Sequence, residues 1–226
     1  MDEKMESGRP GLVCAATWEE LQTFGLEGGS VLEEGRLLRI PEGLAATTGV
    51  GAPLTLLRLL PLIDSLRPAW IVNTGLAGAY PGSGLAIGDV VVGTSEVFAD
   101  LGMETPDKEG FLPLSTFPFA DEILRNPLPL WVPDWAARHK KGHGATVNQV
   151  TGTDGTGKLR RDRFGADFET MEGAAVALAA KERNLPLLEV RAVSNFAARR
   201  DMREENVRSA LESLKVFWKD CRRHLA

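Results

Sequence analysis

Asp167-Phe-Glu-Thr-Met-Glu-Gly-Ala-Ala-Val-Ala-Leu-Ala-Ala-Lys-Glu-Arg-Asn-Leu-Pro-Leu-Leu-Glu-Val-Arg-Ala-Val-Ser-Asn195 decides the fold, because it holds one helix and one strand back to back. Met171 to Arg183 is rich in strong helix formers, and Asn184 with Pro186 ends it. Leu187 to Val193 has the short, apolar, β-branched character of a core strand, interrupted by Glu189 and Arg191. Glu172 lies at the start of the helix beside Gly173, Ala174 and Ala175, small residues that let another backbone come close. Asn195 lies just past the strand's C-terminal end, where open α/β sheets bind ligands. A carboxylate and an amide at those two ends can face one small-molecule pocket.

Outward from that stretch, composition narrows the classes. The 226 residues suit one large α/β domain, with 43% hydrophobic and 25% charged residues as in ordinary globular chains. A net charge of −5 speaks against nucleic acid as a partner. The basic clusters at Arg138 to Lys141, Lys158 to Arg163 and Arg199 to Arg203 read as solvated faces or helix ends. The two cysteines, Cys14 and Cys221, form no metal-ligand spacing and are expected reduced. No apolar run reaches the ~18 residues of a membrane span. The expectation is a cytoplasmic protein with no metal, no cofactor and no membrane partner.

Residues 1–10 read as a flexible leader, and residues 11–226 as one catalytic domain. Gly11 to Ala16 is a first strand, and Thr17 can cap a helix with Glu19 and Glu20 in its first turn. Acids there are ordinary helix-dipole chemistry, but Glu20 also follows strand one directly, so it stays a site candidate. Gly25 to Pro41 reads as a hairpin. Ala52 to Leu66 reads as a helix with Leu54, Leu57, Leu60 and Ile63 as its core face. After the strand Trp70 to Thr74, Gly75-Leu-Ala-Gly-Ala-Tyr-Pro-Gly82 reads as a glycine-bearing turn whose N–H groups can meet a ligand. It matches neither a dinucleotide fingerprint nor a P-loop. Phe98 to Pro133 is irregular, either a pocket insertion or a variable loop. Thr146 to Thr151 reads as a strand, Gly152 to Gly157 as an irregular turn, and Glu204 to Leu225 as an amphipathic helix.

Four stretches carry a resemblance that spans nearly the whole chain: Ala15-Ala-Thr-Trp-Glu-Glu20, Asn73-Thr-Gly-Leu-Ala-Gly78 with Gly88-Asp-Val-Val-Val92, Glu169-Thr-Met-Glu-Gly173, and Arg191-Ala-Val-Ser-Asn195. In them the chain resembles the nucleoside phosphorylase and nucleosidase superfamily, most closely the futalosine hydrolases of the alternative menaquinone pathway. The resemblance implies a three-layer α/β/α fold with a mixed, partly barrel-like central sheet, assembled as a homodimer or larger homo-oligomer. It also implies cleavage of a purine N-glycosidic bond. By the same resemblance Glu172 binds the ribose 2′-hydroxyl, Glu20 deprotonates the attacking water, and Arg191 orients that site. Met171 packs under the sugar, with Ser194 beside Asn195. Backbone groups of Leu76, Ala77 and Gly78 and of Thr151, Gly152, Thr153 and Asp154 line the water and base sites.

The residue types suit that chemistry. Ribosyl transfer passes through an oxocarbenium-like state that carboxylates stabilise, and a positioned base activates water. The related adenine-specific nucleosidases carry an aspartate where this chain has Asn195. An amide NH2 can donate to both N7 and O6 of a 6-oxopurine, so Asn195 favours hypoxanthine, the base of futalosine; alternatively it is a strand-end turn former. Related phosphorylases carry an arginine where this chain reads Asn73-Thr74-Gly75, which favours water over phosphate. Related nucleosidases have serine at the position of Leu76. The competing readings are a methylthioadenosine/S-adenosylhomocysteine or broader purine nucleosidase, and a non-catalytic nucleoside-binding protein. Phe98, Phe111, Phe117 and Phe119 are candidates for a wall against an aromatic 5′ substituent, with core packing as the plainer reading.

Overall fold

The computed structural model describes residues 9–26, 29–33, 36–106, 110–199 and 203–225, so most of the leader lies outside the described residues. Pro10 is tied down, its carbonyl accepting from the Ala69 N–H at 2.9 Å. In chain order the strands are β1 (Gly11–Ala15), β2 (Ser30–Glu33), β3 (Leu37–Ile40), β4 (Gly43–Thr47), β5 (Ile71–Ala79), β6 (Val90–Phe98), β7 (Gly102–Glu104), β8 (Phe111–Pro113), β9 (Leu128–Pro129), β10 (Lys140–Thr146), β11 (Phe168–Thr170) and β12 (Leu187–Phe196). The helices are α1 (Trp18–Gln22), α2 (Ala52–Leu66), α3 (Asp154–Phe164), α4 (Gly173–Glu182) and α5 (Glu204–Cys221).

The main sheet runs β11-β10-β6-β12-β5-β1-β4-β3-β2, and β11 also pairs with β5. That last pairing closes β5, β12, β6, β10 and β11 into a ring, while β1 to β4 spread from it as an open wing. Parallel and antiparallel ladders mix: β12 is parallel to β5 and antiparallel to β6. Alternation along buried strands sends side chains to two cores. Val13, Val72, Leu188 and Val190 face Leu214, Phe217 and Trp218 of α5 on one side. Leu12, Ile71 and Leu187 face Leu59 and Ile63 of α2 and Val176 of α4 on the other. The result is the three-layer α/β/α arrangement with a partly barrel-like mixed sheet.

Several elements match the sequence reading. α2 spans the expected residues, entered through Gly51 and Pro53 and ended by Arg67 in the left-handed region at φ 48°. Thr17 caps α1, and Gly25 to Pro41 contains the antiparallel β2–β3 hairpin.

Other readings need correction. The core face of α2 is Ala52, Thr55, Leu59 and Ile63, whereas Leu54 and Leu57 are 41% and 70% exposed. With leucines on every side of this helix, spacing cannot choose a face. Packing against α4, whose Gly173 to Ala180 surface is mostly alanine, favours the side of α2 that carries Ala52 and Thr55.

Gly75 to Ala79 is not a turn: β5 runs through it, and its glycines keep the strand bare where other side chains crowd in. The strand expected at Thr146 to Thr151 ends at Thr146, since Lys140 to His143 form its first half along β6. Gly152 to Gly157 is not all irregular. Thr153 caps α3, and Gly157 sits where a Cβ would come within 2.2 Å of the Ala197 carbonyl. The small residues at the start of α4 admit carboxyl groups rather than a backbone: a Cβ on Gly173 would lie 2.2 Å from Glu96 Oε1 and 2.8 Å from Glu189 Oε1.

Candidate active site

One mouth of the closed ring opens into a cavity of about 200 Å³, lined by Thr17 and Glu20 from α1 and its cap, Leu76 to Gly78 of β5, Val150 and Thr151, Glu169 to Glu172, and Ser194 with Asn195 of β12. Glu20 reaches it because Thr17 and Glu20 form a capping box: Glu20 N–H donates to Thr17 Oγ1, and Glu20 Oε2 accepts from Thr17 N–H at 3.0 Å. Its Oε1 accepts from Leu76 N–H at 2.8 Å. The helix-cap and site readings of Glu20 therefore describe one residue, fixed by the cap and facing the cavity.

Glu172 is the N-cap of α4 but does not cap it through its side chain. Instead its Oε1 accepts from Gly51 N–H at 2.8 Å, which ties the start of α2 to the cavity floor. Burial raises the Glu172 carboxyl above its ordinary value, against the pull of Arg191 and the Gly51 N–H. Arg191 lies behind the lining, 1% exposed. Its Nε donates to Glu189 Oε1 at 2.9 Å; Nη2 lies 2.8 Å from the same oxygen, an ion pair not aligned as a hydrogen bond. Burial opposes the guanidinium charge, but Glu189, Glu172 and Glu20 together outweigh it. A Cβ on Gly75 would lie 2.6 Å from Glu20 Oε1 and 2.7 Å from Arg191 Nη1, so any side chain here would strike both this carboxylate and this cation.

Asn195 is half-buried at a register shift where β12 bulges against β5. Ser194 Oγ donates to its Oδ1 at 3.0 Å, and its Nδ2 donates to the Phe196 carbonyl at 3.0 Å. That spends one N–H of the amide and leaves the other for a ligand. Gly78 again makes room, since a Cβ there would stand 3.0 Å from Nδ2.

The structure thus brings Glu20, Glu172, Asn195, Leu76, Ala77, Gly78, Thr151, Met171 and Ser194 to one cavity, with Arg191 just beneath. It does not bring Gly152 and Thr153 there. Both are exposed, and Thr153 is spent on capping Thr156 of α3 at 3.1 Å. Nor do Phe98, Phe111, Phe117 or Phe119 line this cavity. Phe98 lines a separate one with Leu114 and Leu128, and Phe119 is 76% exposed.

Glu169, Val50 and Val150 line the site without having been expected there. Glu169 accepts from Thr151 N–H at 2.8 Å, from Thr151 Oγ1 at 2.6 Å and from the Tyr80 hydroxyl at 3.0 Å, so it holds the Thr151 segment over the cavity. Its signal was a carboxylate three residues before Glu172 inside a buried run. Cys14, buried nearby, is pushed up to about 12 by burial and is no nucleophile at neutral pH.

The lining sets three glutamates, Glu20, Glu169 and Glu172, with the Asn195 amide around one cavity, a set of acceptors and donors that suits a hydroxyl-bearing polar ligand. The phosphorylase superfamily profile matches residues 31–225, and the chain belongs to that superfamily. It is 34% identical over 202 residues to the futalosine hydrolase of Streptomyces coelicolor, covering 85% of each chain. With the futalosine hydrolase of Acidothermus cellulolyticus it shares 39% identity over 157 residues, which is 64% of this chain and 61% of that one. In fold it is similar to the 5′-methylthioadenosine/S-adenosylhomocysteine nucleosidase of Neisseria meningitidis solved with methylthio-immucillin-A. That similarity has a TM-score of 0.74 at 19% identity, over 93% of this chain and 97% of the other.

Proposed function

We propose that the protein is an N-glycosidic bond hydrolase that cleaves futalosine with water, giving hypoxanthine and dehypoxanthine futalosine. The observation that carries this reading is the cavity that Glu20, Glu172 and Asn195 share, with a neutral amide rather than a third catalytic acid beside the two glutamates. Sequence similarity to two futalosine hydrolases supports it. In this reading the ribose lies over Met171 with its 2′-hydroxyl on Glu172, and water sits against Glu20. As the C1′–N9 bond breaks, positive charge grows on the sugar between the two carboxylates, and Glu20 takes the proton from the attacking water. The electron pair of the broken bond leaves with the purine. The free Nδ2–H of Asn195 stabilises it at N7 and O6, and solvent supplies the proton that completes hypoxanthine.

Water rather than phosphate is the acceptor because, among the described residues, the lining contains no Lys or Arg. Arg191 is buried and already paired with Glu189, so a dianion would find little to neutralise it. The assembly is a homo-oligomer, and Leu54 and Leu57 on the outer side of α2 supply its contact, two large apolar side chains exposed next to the Gly51 turn that holds Glu172. Incubating the protein with futalosine, aminofutalosine and methylthioadenosine, and following the free base by chromatography, tests the assignment. Hypoxanthine release from futalosine is expected to be fastest; faster release of adenine from either other nucleoside defeats it.

A further inference from the structure

Glu96 and Glu189 are fully buried, yet neither enters the chemistry just described. Glu96 Oε2 accepts from Thr146 Oγ1 at 2.8 Å, and Glu189 Oε1 accepts from Asn73 Nδ2 at 3.2 Å as well as from Arg191 Nε. The other oxygen of each, Glu96 Oε1 and Glu189 Oε2, has no hydrogen-bond partner among the described residues. Three glycines clear the space around the pair. A Cβ would stand 2.1 Å from Glu96 Oε1 at Gly144, 2.2 Å from it at Gly173, and 2.9 Å from Glu189 Oε2 at Gly93. Both carboxyls border Gly173, where a Cβ would lie 2.2 Å from Glu96 Oε1 and 2.8 Å from Glu189 Oε1, so one proton held between the two groups relieves the cost of burying both as charged carboxylates.

We infer that Glu96 and Glu189 share one proton and act as positioning residues, fixing Arg191 and through it Glu20 and Glu172; this rests on the proposed roles of those two glutamates. The pair removes one negative charge from a cluster that otherwise sets four carboxylates around a single guanidinium. With the proton in place, only Oε1 of Glu189 carries the anchor for Arg191, through Nε and Nη2, and Nη1 is left toward Glu20 across the bare Gly75. Loss of the proton makes Oε2 a second anionic acceptor and draws the guanidinium away from the cavity. Thr146 reinforces the coupling, because the same hydroxyl that donates to Glu96 accepts from Ala174 N–H in the first turn of α4, two residues after Glu172. The groups facing the Glu96 carboxyl are Glu189 and Arg191 of β12, Thr146 of β10, and the α4 N-terminus at Gly173; Asn73 of β5 faces Glu189. Burial and then Glu189 push the Glu96 carboxyl well up, in keeping with the proton being held there.

Infrared spectroscopy of the whole protein and steady-state kinetics across pH test this together. The wild type is expected to show the carbonyl stretch of a protonated carboxyl group at neutral pH. Glu96→Gln is expected to lose that band, to keep kcat within about 3-fold, and to lack the alkaline fall in kcat that the wild type shows as its band disappears. Glu189→Gln is expected to lose about 100-fold in kcat with KM little changed, the cost of a displacement near 1 Å at the reacting groups. Absence of the band in the folded wild type overturns the inference, whether or not any variant folds. So does a Glu96→Gln that keeps the wild-type alkaline limb, or a Glu189→Gln as active as the wild type. A wild type that shows the band but cleaves no nucleoside instead overturns the proposed function and leaves the shared proton standing.

Discussion

Gly75→Ala places one methyl group against both Glu20, the proposed general base, and the buried guanidinium of Arg191. The new Cβ would lie 2.6 Å from Glu20 Oε1, 2.7 Å from Arg191 Nη1 and 3.0 Å from Glu20 Cδ, each at least several tenths of an ångström inside ordinary contact. Arg191 cannot retreat, being 1% exposed and anchored on Glu189. Glu20 is the softer partner, although Leu76 N–H and Thr17 both hold it. The predicted response is therefore a shift of the Glu20 carboxylate by somewhat under 1 Å, with its bond to Leu76 stretched or lost. Overpacking of this kind costs about 1–3 kcal/mol of stability, or a fall of about 2–12 °C in Tm for a chain of this size. A displacement of that order at a general base costs roughly 10²-fold in rate. Hypoxanthine release measured beside thermal unfolding separates the two effects: kcat is expected to fall about 100-fold while most molecules stay folded at 25 °C. Wild-type kcat with a lowered Tm would refute the reasoning, since it would show that the bare backbone at Gly75 serves packing alone.

Asn195→Asp removes the free N–H offered to the base, and a mismatched acceptor costs about 1–3 kcal/mol, so the preference for futalosine over aminofutalosine is expected to fall roughly 5- to 150-fold in kcat/KM. Glu172→Gln keeps the oxygen that accepts from Gly51 but removes a charge that burial disfavours; kcat is expected to drop about 10²-fold or more while Tm at neutral pH rises. The folded protein holds the Glu96 proton above the ordinary carboxylate value of about 4.5, so unfolding releases a proton over that window and stability falls as pH rises through it; Glu96→Gln is expected to flatten this part of the Tm-against-pH curve. Leu57→Glu, at 70% exposure on α2, is expected to leave the fold intact and to shift sedimentation toward the monomer.

How far the chain could be read depended on whether a residue's neighbours lie near it in sequence. α2, the Thr17 cap and the placing of Glu172 at the start of α4 rest on local signals, and all three stand in the structure. Gly75 and Gly78 misled because glycine marks both turns and strands that other groups approach closely; only the positions of Glu20, Arg191 and Asn195 in space tell the two apart. Leu54 and Leu57 misled because a leucine-rich helix offers several apolar faces, and the choice belongs to the alanines of α4. Thr153 was expected in the cavity, but a threonine before Asp-Gly-Thr caps a helix, and the cap turns it away. Glu189 and Arg191 did announce themselves, as charges inside an apolar strand, whereas the partner of Glu189 lies on β6 and no pattern links it to β12.

Trp218 of α5 is fully buried, and its indole N–H donates to Thr74 Oγ1 at 2.8 Å, one residue before Gly75. Its ring also meets Phe24 at 4.9 Å and Phe217 at 5.0 Å between centroids. The indole is therefore a native optical reporter mounted on the strand that carries the cavity's bare segment. With the other four tryptophans replaced by phenylalanine, its emission would register movement of β5 when a nucleoside arrives, with no dye or label attached.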